Sequence, residues 1–192
     1  MNRARGQGRL FPHNQSTNSS TPQQNKLTLS KQQLINWQEG IHNYQATFFK
    51  GFPSKHQQGS LFANLETTSI DNFDPLKLTP LPMTFWRWPE TAHNGPAIYL
   101  VMDRLESCNS HILLYVGETI ASDRRWKGEH DCKSYVSAYS DALSHAGIEK
   151  QLSIRFWSDV PADTRSRRKL EQQLIQKWLP PFNKETRMRW ST

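Results

Sequence analysis

Apolar side chains recur at Leu34, Trp37, Ile41, Tyr44 and Phe48, the interval of a helix that lays one face on a core. Ser30 and Gln33 stand at capping-box spacing just ahead of it, so the helix is predicted to start at Ser30. From Ala97 the period changes. Ala97–Asp103 and Ile112–Gly117 read as the two strands of a hairpin, with Arg104–His111 as a long loop. Tyr135, Tyr139, Ala142, Leu143 and Ala146 share one face of a helix over Ser134–Ala146, which Gly147 stops. Leu152, Ile154 and Phe156 alternate with Ser153, Arg155 and Trp157 in a third strand, Leu152–Val160. Asp163 or Thr164 caps a last helix that runs to about Leu179 and ends at Pro180-Pro181.

Strand, strand, helix, strand, helix in so short a span predicts a compact α+β domain. Residues 1–29, with "PHNQSTNSSTPQQN", read as a disordered tail. Residues 30–96 read as a helix plus irregular extension, 97–184 as the α+β domain and 185–192 as a C-terminal tail.

Composition narrows the picture. Hydrophobic residues make up 35% of the chain and the mean hydropathy is −0.76, so part of it is expected to pack into no core. No apolar run approaches membrane-spanning length, and the basic start of the chain has no apolar stretch behind it. Neither a membrane span nor a signal peptide is expected. Cys108 and Cys132 are too few for a disulfide framework, and a reducing, cytoplasmic setting is the simplest reading. The net charge of +7, with seven Trp, five Tyr and nine Phe, tilts toward nucleic acid. An anionic membrane surface or simple solubility would also suit that charge.

Ala97-Ile98-Tyr99, Tyr115-Val116-Gly117, Arg125, His130, Glu171 and Asn183 occur in that order, with the elements above between them. Together they resemble the signature of the GIY-YIG nucleases over residues 97–184. The resemblance implies a small, mostly antiparallel three-stranded sheet flanked by helices, and cleavage of phosphodiesters with one divalent metal ion. Three positions depart from the pattern: Ala97 replaces Gly, Glu118 follows Tyr-Val-Gly, and His130 lies five residues after Arg125. Either the turn holds one more residue there, or Arg124 and Arg125 exchange roles; Arg125 is preferred. Glu118 is a candidate second acidic group near the metal.

The chemistry gives each position a reason. Hydrolysis needs an activated water, neutralised phosphate oxygens and help for the leaving oxygen. Glu171 alone can hold Mg²⁺ (or Mn²⁺) while water and phosphate oxygens complete the shell. Arg125 offers a charged planar fork. Tyr99 and Tyr115 can orient or deprotonate the water, the latter only if nearby positive charge lowers a phenol pKa of about 10. His130 can orient the phosphate or exchange a proton with a bridging oxygen. By resemblance, Asn183 fixes geometry through hydrogen bonds.

In the last helix Leu170, Leu174, Ile175 and Trp178 form the buried stripe, and Glu171 stands at its edge. A metal would partner such a carboxylate; a salt bridge or plain solvation would serve as well. Arg165, Arg167, Arg168 and Lys169 crowd the helix start against its dipole, which calls for an anion nearby. With Arg124 and Lys127 they are the candidate DNA contacts, the alternative being a solvated basic face.

Gln7-Gly8-Arg9-Leu10-Phe11 and Gln58-Gly59-Ser60-Leu61-Phe62 share the form Gln-x-x-Leu-Phe. It resembles the peptide by which bacterial repair proteins dock on the DNA sliding clamp, with Gln7, Leu10 and Phe11 as the better-placed anchors. Cys108, His111, His130, Cys132 and His145 match no zinc spacing. No Gly-rich phosphate loop or nucleophile elbow is present. The expectation is a metal-dependent DNA endonuclease. A non-cutting DNA-binding or adaptor protein and an RNA-directed enzyme are the alternatives.

Overall fold

A computed structural model of the chain describes residues 29–49, 70, 73–87, 94–122, 126 and 131–191. Arg124, Arg125, Lys127 and His130, and both Gln-x-x-Leu-Phe stretches with Gln7, Leu10 and Phe11, lie outside the described residues.

The first helix, α1, spans Lys31–Phe49. Its capping box forms as the spacing predicts: Gln33 N–H donates to Ser30 Oγ (3.3 Å) and Ser30 N–H to Gln33 Oε1 (2.9 Å). Its most buried line is Leu34, Gln38, Ile41 and Gln45. Trp37, Tyr44 and Phe48 flank that line, half-buried, so the predicted aromatic stripe is one shoulder of the packed face.

Among the described residues the sheet is antiparallel and has four strands in the order β1-β4-β2-β3. The strands are β1 (Leu81–Pro82), β2 (Ala97–Leu105), β3 (Ser110–Thr119) and β4 (Leu152–Trp157). The extra strand corrects the expected three. Leu81-Pro82 reads as irregular connection in sequence, and only pairing with Ile154 and Ser153 makes it a strand. The hairpin strands also run further than their pattern shows, leaving a turn of Glu106–Asn109 in place of a long loop. Asn109 takes the left-handed conformation (φ 48°), and its side chain accepts from Arg104.

Helices α2 (Asp131–Ala146) and α3 (Thr164–Trp178) cover the two faces. On the α2 side Ala97, Tyr99, Val101, Ile154 and Phe156 pack with Cys132 and Val136. On the α3 side Ile98, Leu100, Met102, Leu113 and Val116 meet Leu174, Ile175 and Trp178. Burial on both faces explains why β2 reads as a nearly unbroken apolar run. α1 lies along β3. Its Leu34 and Ile41 form a third cluster with Leu105, Ile112 and Leu114 of the hairpin and Tyr139 and Leu143 of α2, while Phe48 and Phe49 join the α3-side one.

The position of the site depends on how the outer edge of β3 is closed. A bulge at the Val101/Met102 step leaves Leu114 as the extra residue, since Val101 pairs with Tyr115 and Met102 with Leu113. Side chains then occupy the unpaired backbone. Gln45 accepts from Leu113 N–H (2.7 Å) and donates to Leu113 C=O (3.0 Å). Asn183 does the same for Val116 (3.0 and 2.8 Å), and Glu171 accepts from Glu118 N–H (3.0 Å). Three side chains from three elements replace a neighbouring strand.

The two ends of the chain's described part also join this body. Residues 185–191, expected as a tail, fold back through a 3₁₀ turn at Arg187–Trp190. Trp190 donates its indole N–H to Leu179 C=O (2.7 Å), and Trp37 donates to Trp190 C=O (3.0 Å). Arg155, placed by alternation on a polar face, is buried. Its guanidinium donates to the carbonyls of Pro75, Leu76 and Leu78 (3.3, 3.3 and 2.6 Å), pinning the segment that leads to β1. Among the described residues no helix is long and apolar enough to cross a membrane, and both cysteines are free.

Candidate active site

A cleft of about 420 Å³ opens beside the edge of β3, between the start of α2, the middle of α3 and the turn at 181–185. Tyr115, Glu171 and Asn183 line it, from β3, α3 and the segment after α3. Three of the six predicted site residues therefore meet.

Tyr99 stands one layer deeper. It is fully buried, and its ring stacks on Tyr115 with centroids 5.8 Å apart and planes at 24°. The two phenols share a hydrogen bond. Gly117 makes this stack possible, because a Cβ on Gly117 would lie 2.4 Å from Tyr99 Cζ and 2.8 Å from Tyr115 Cε1. Trp126 meets the other side of Tyr99 edge-on, 5.7 Å between centroids. Tyr99 thus reaches the cleft only through Tyr115.

Burial pushes the Tyr115 phenol well above its ordinary pKa, and neighbouring Tyr99, Cys132 and Glu171 add to the rise. The cations expected to lower it fall on residues outside the described part. Burial likewise pushes Glu171 up to about 7. The Glu118 N–H opposes that rise, the carboxylates of Glu118 and Glu185 reinforce it, and Arg168 opposes it weakly. Glu171 is half-buried at the edge of the α3 stripe, as its helical position predicts.

Asn183, buried, closes the sheet edge at Val116 as described above. Its part is geometric.

The basic start of α3 divides. Arg165 and Lys169 are exposed, and Arg168 is largely so, with Nε 3.2 Å from Glu118 Oε1. Arg167 corrects the expectation of a DNA contact: its side chain is fully buried. It donates to Glu118 Oε2 (3.0 Å) and to the carbonyls of Pro161 (3.1 Å) and Ala162 (2.9 Å). The anion that the crowded cations call for is therefore internal, and it is Glu118. Its carboxylate is ion-paired to Arg167 and Arg168, and its backbone N–H donates to Glu171, whose proton the Glu118 charge also holds more tightly. Asp163 supplies the N-cap, accepting from Ser166 N–H (2.8 Å).

Sequence reasoning missed Asp131, Tyr135, Lys184 and Glu185, which also line the cleft. Tyr135 was legible as a helix-face residue; the others carry no local signal. Lys184 pairs with Asp131 at 2.7 Å across the cleft mouth.

Among the described residues no cluster of three or more His, Cys, Asp or Glu is arranged to hold a metal. The donor set fits a dication held by one protein carboxylate. Glu171 is partly desolvated and faces two further carboxylates, a field that a bound cation would relieve. Comparison with protein-family models, curated proteins and solved structures found no match to this chain.

Proposed function

We propose that this chain is a divalent-metal-dependent endonuclease that hydrolyses DNA phosphodiester bonds in the manner of the GIY-YIG nucleases that residues 97–184 resemble. The observation that supports it most is the meeting of Tyr115, Glu171 and Asn183 in one cleft from three separate elements. A core needs no such convergence of polar groups on an open surface.

In this reading Glu171 holds Mg²⁺ or Mn²⁺, which when bound neutralises phosphate charge and acidifies water. Tyr115, protonated at neutral pH, donates to a non-bridging oxygen or orients the attacking water. It acts as a base only where Arg124 or Arg125 brings positive charge to it. Arg125 carries the charge that develops on phosphorus oxygens, and His130 exchanges the proton. The water oxygen bonds phosphorus, the bridging P–O bond breaks, and the water's proton ends on the leaving oxygen. Tyr99 and Asn183 keep Tyr115 and the β3 edge in place. Arg165, Arg168 and Lys169 extend a positive approach for the DNA backbone. Docking on a bacterial sliding clamp through Gln7, Leu10 and Phe11, in a cytoplasmic setting, would raise the local concentration of DNA.

A DNA-binding module that does not cut is the second reading, and one observation favours it. With the Tyr115 phenol pushed well above its ordinary pKa, that phenol stays protonated at neutral pH and is no base within the described cleft.

The test is cleavage of supercoiled, linear, branched and single-stranded DNA, with an RNA control, in Mg²⁺ or Mn²⁺. Cutting by the wild type that Glu171→Ala and Tyr115→Phe lose, with binding kept, establishes the nuclease. Salt-sensitive binding with no cutting by the wild type selects the module.

A further inference from the structure

The turn after the site residues presents an unusual surface. Among the described residues four large hydrophobic side chains are exposed, and Met188, at 80%, is the most exposed of them. A lone exposed apolar residue is ordinary. Met188 differs in how it is held and flanked. The turn that carries it is anchored at both ends: Arg187 N–H donates to Asn183 C=O (3.0 Å), and the Trp190 indole to Leu179 C=O (2.7 Å). An apolar groove lined by Trp37, Phe182 and Trp190 lies beside it, yet Met188 is not among the residues that line that groove.

On either side stands an arginine stacked on aromatic rings. The Arg187 guanidinium lies 5.5 Å from the centroid of Tyr135 and donates to its hydroxyl (2.7 Å). Arg189 lies 5.2 Å from Tyr44 and 5.7 Å from Trp190. Both residues are exposed, so the stacking orders the side chains while leaving donors toward solvent. Lys184, ion-paired with Asp131, lines the cleft together with Tyr135, so the turn adjoins the candidate site.

We propose that Arg187-Met188-Arg189 is a DNA-bending ridge: the two arginines grip the phosphate backbone of a duplex and Met188 wedges between base pairs beside the scissile bond. An apolar side chain between cationic anchors is the chemistry of partial intercalation, in which a wedge unstacks one base step and kinks the duplex. The energy of unstacking favours steps that are already weak, so the ridge selects flexible, mismatched or branched sites. This inference rests on the proposed nuclease reading and supplies its substrate class.

The experiment uses the full chain and a short duplex with dyes at its two ends, intact or with a central mismatch. Energy transfer reads the bend, and a salt titration reads the backbone contacts. Wild type is expected to bend the mismatched duplex and to bind it about tenfold tighter than the intact one. Met188→Ala is expected to lose the bend and most of that preference, with unchanged melting temperature because the side chain is exposed. Arg187→Gln/Arg189→Gln is expected to lower the slope of log K against log salt by about 2. Bending by Met188→Ala equal to wild type removes the wedge. An unchanged slope in the double variant removes the grip. Loss of binding to anionic vesicles with DNA binding intact assigns the ridge to a membrane and overturns the proposal. If the wild type cuts and binds DNA while the ridge variants behave as wild type, only this inference fails. If the wild type binds no nucleic acid, the nuclease reading fails with it.

Discussion

Glu118 holds Arg167 in an ion pair at 3.0 Å in which the arginine side chain is fully buried. The same glutamate offers its backbone N–H to Glu171, so the internal pair and the candidate metal ligand meet at one residue. Removing one partner of such a pair leaves an uncompensated buried charge.

Glu118→Ala is therefore expected to cost about 3–5 kcal/mol of stability. Glu118→Gln, which keeps an acceptor for Arg167, is expected to cost less than half as much. Urea denaturation of the two variants checks the order; equal losses would mean that the acceptor kept by Gln carries no weight and that the charge carries all of it.

Gly117→Ala places a methyl group where the phenol of Tyr99 lies. The overlap is expected to cost about 1–3 kcal/mol and to displace Tyr115, reducing cleavage more than stability. Tyr99→Leu removes the colliding ring atoms, so the double variant should lose less than the sum of the single losses. Strict additivity in a double-mutant cycle would show that the ring and the glycine do not meet.

The Glu171 carboxyl has an ordinary pKa of 4.5 and is pushed up to about 7 in the folded chain, chiefly by burial. The folded state thus binds the proton more tightly. Its stabilising contribution is complete below pH 4.5 and is lost as pH rises through 7. Glu171→Gln should match the wild type near pH 4 and exceed it at pH 8 by about 1–2 kcal/mol, allowing for the partial exposure of the group. At pH 8, Mg²⁺ or Mn²⁺ should raise the melting temperature of the wild type and leave that of Glu171→Gln unchanged. A wild-type melting temperature indifferent to both ions would sink the metal role of Glu171.

Asn183→Ala leaves the N–H and C=O of Val116 without their carboxamide partner. The expected cost is about 2–3 kcal/mol, with faster hydrogen exchange at the Val116 amide. Protection of that amide at the wild-type level would show that another group closes the edge of β3.

Local chemistry was readable from the chain. The Ser30–Gln33 box, a cap at Asp163 or Thr164, the 3.6-residue stripes of the helices and the alternation of β4 depend on residues a few positions apart, so period and capping place them without tertiary knowledge. The half-buried place of Glu171 followed from its position beside the α3 stripe. Partners distant in sequence were not readable. A period reports which face a residue occupies, and it does not report what that face meets. Gln38 and Gln45, polar residues that the apolar stripe of α1 leaves out, are buried, because Tyr139 and the bulged edge of β3 give their amides partners. Arg167 looked like a DNA contact until the fold brought Glu118 to it. Leu81-Pro82 became a strand, and Trp190 a clasp, only through contacts with β4, α1 and the end of α3. The sequence by itself thus determined the elements and the residue types available for chemistry. The tertiary structure decided which polar groups are committed to one another and which face the cleft, because burial and hydrogen bonding at long range set that division.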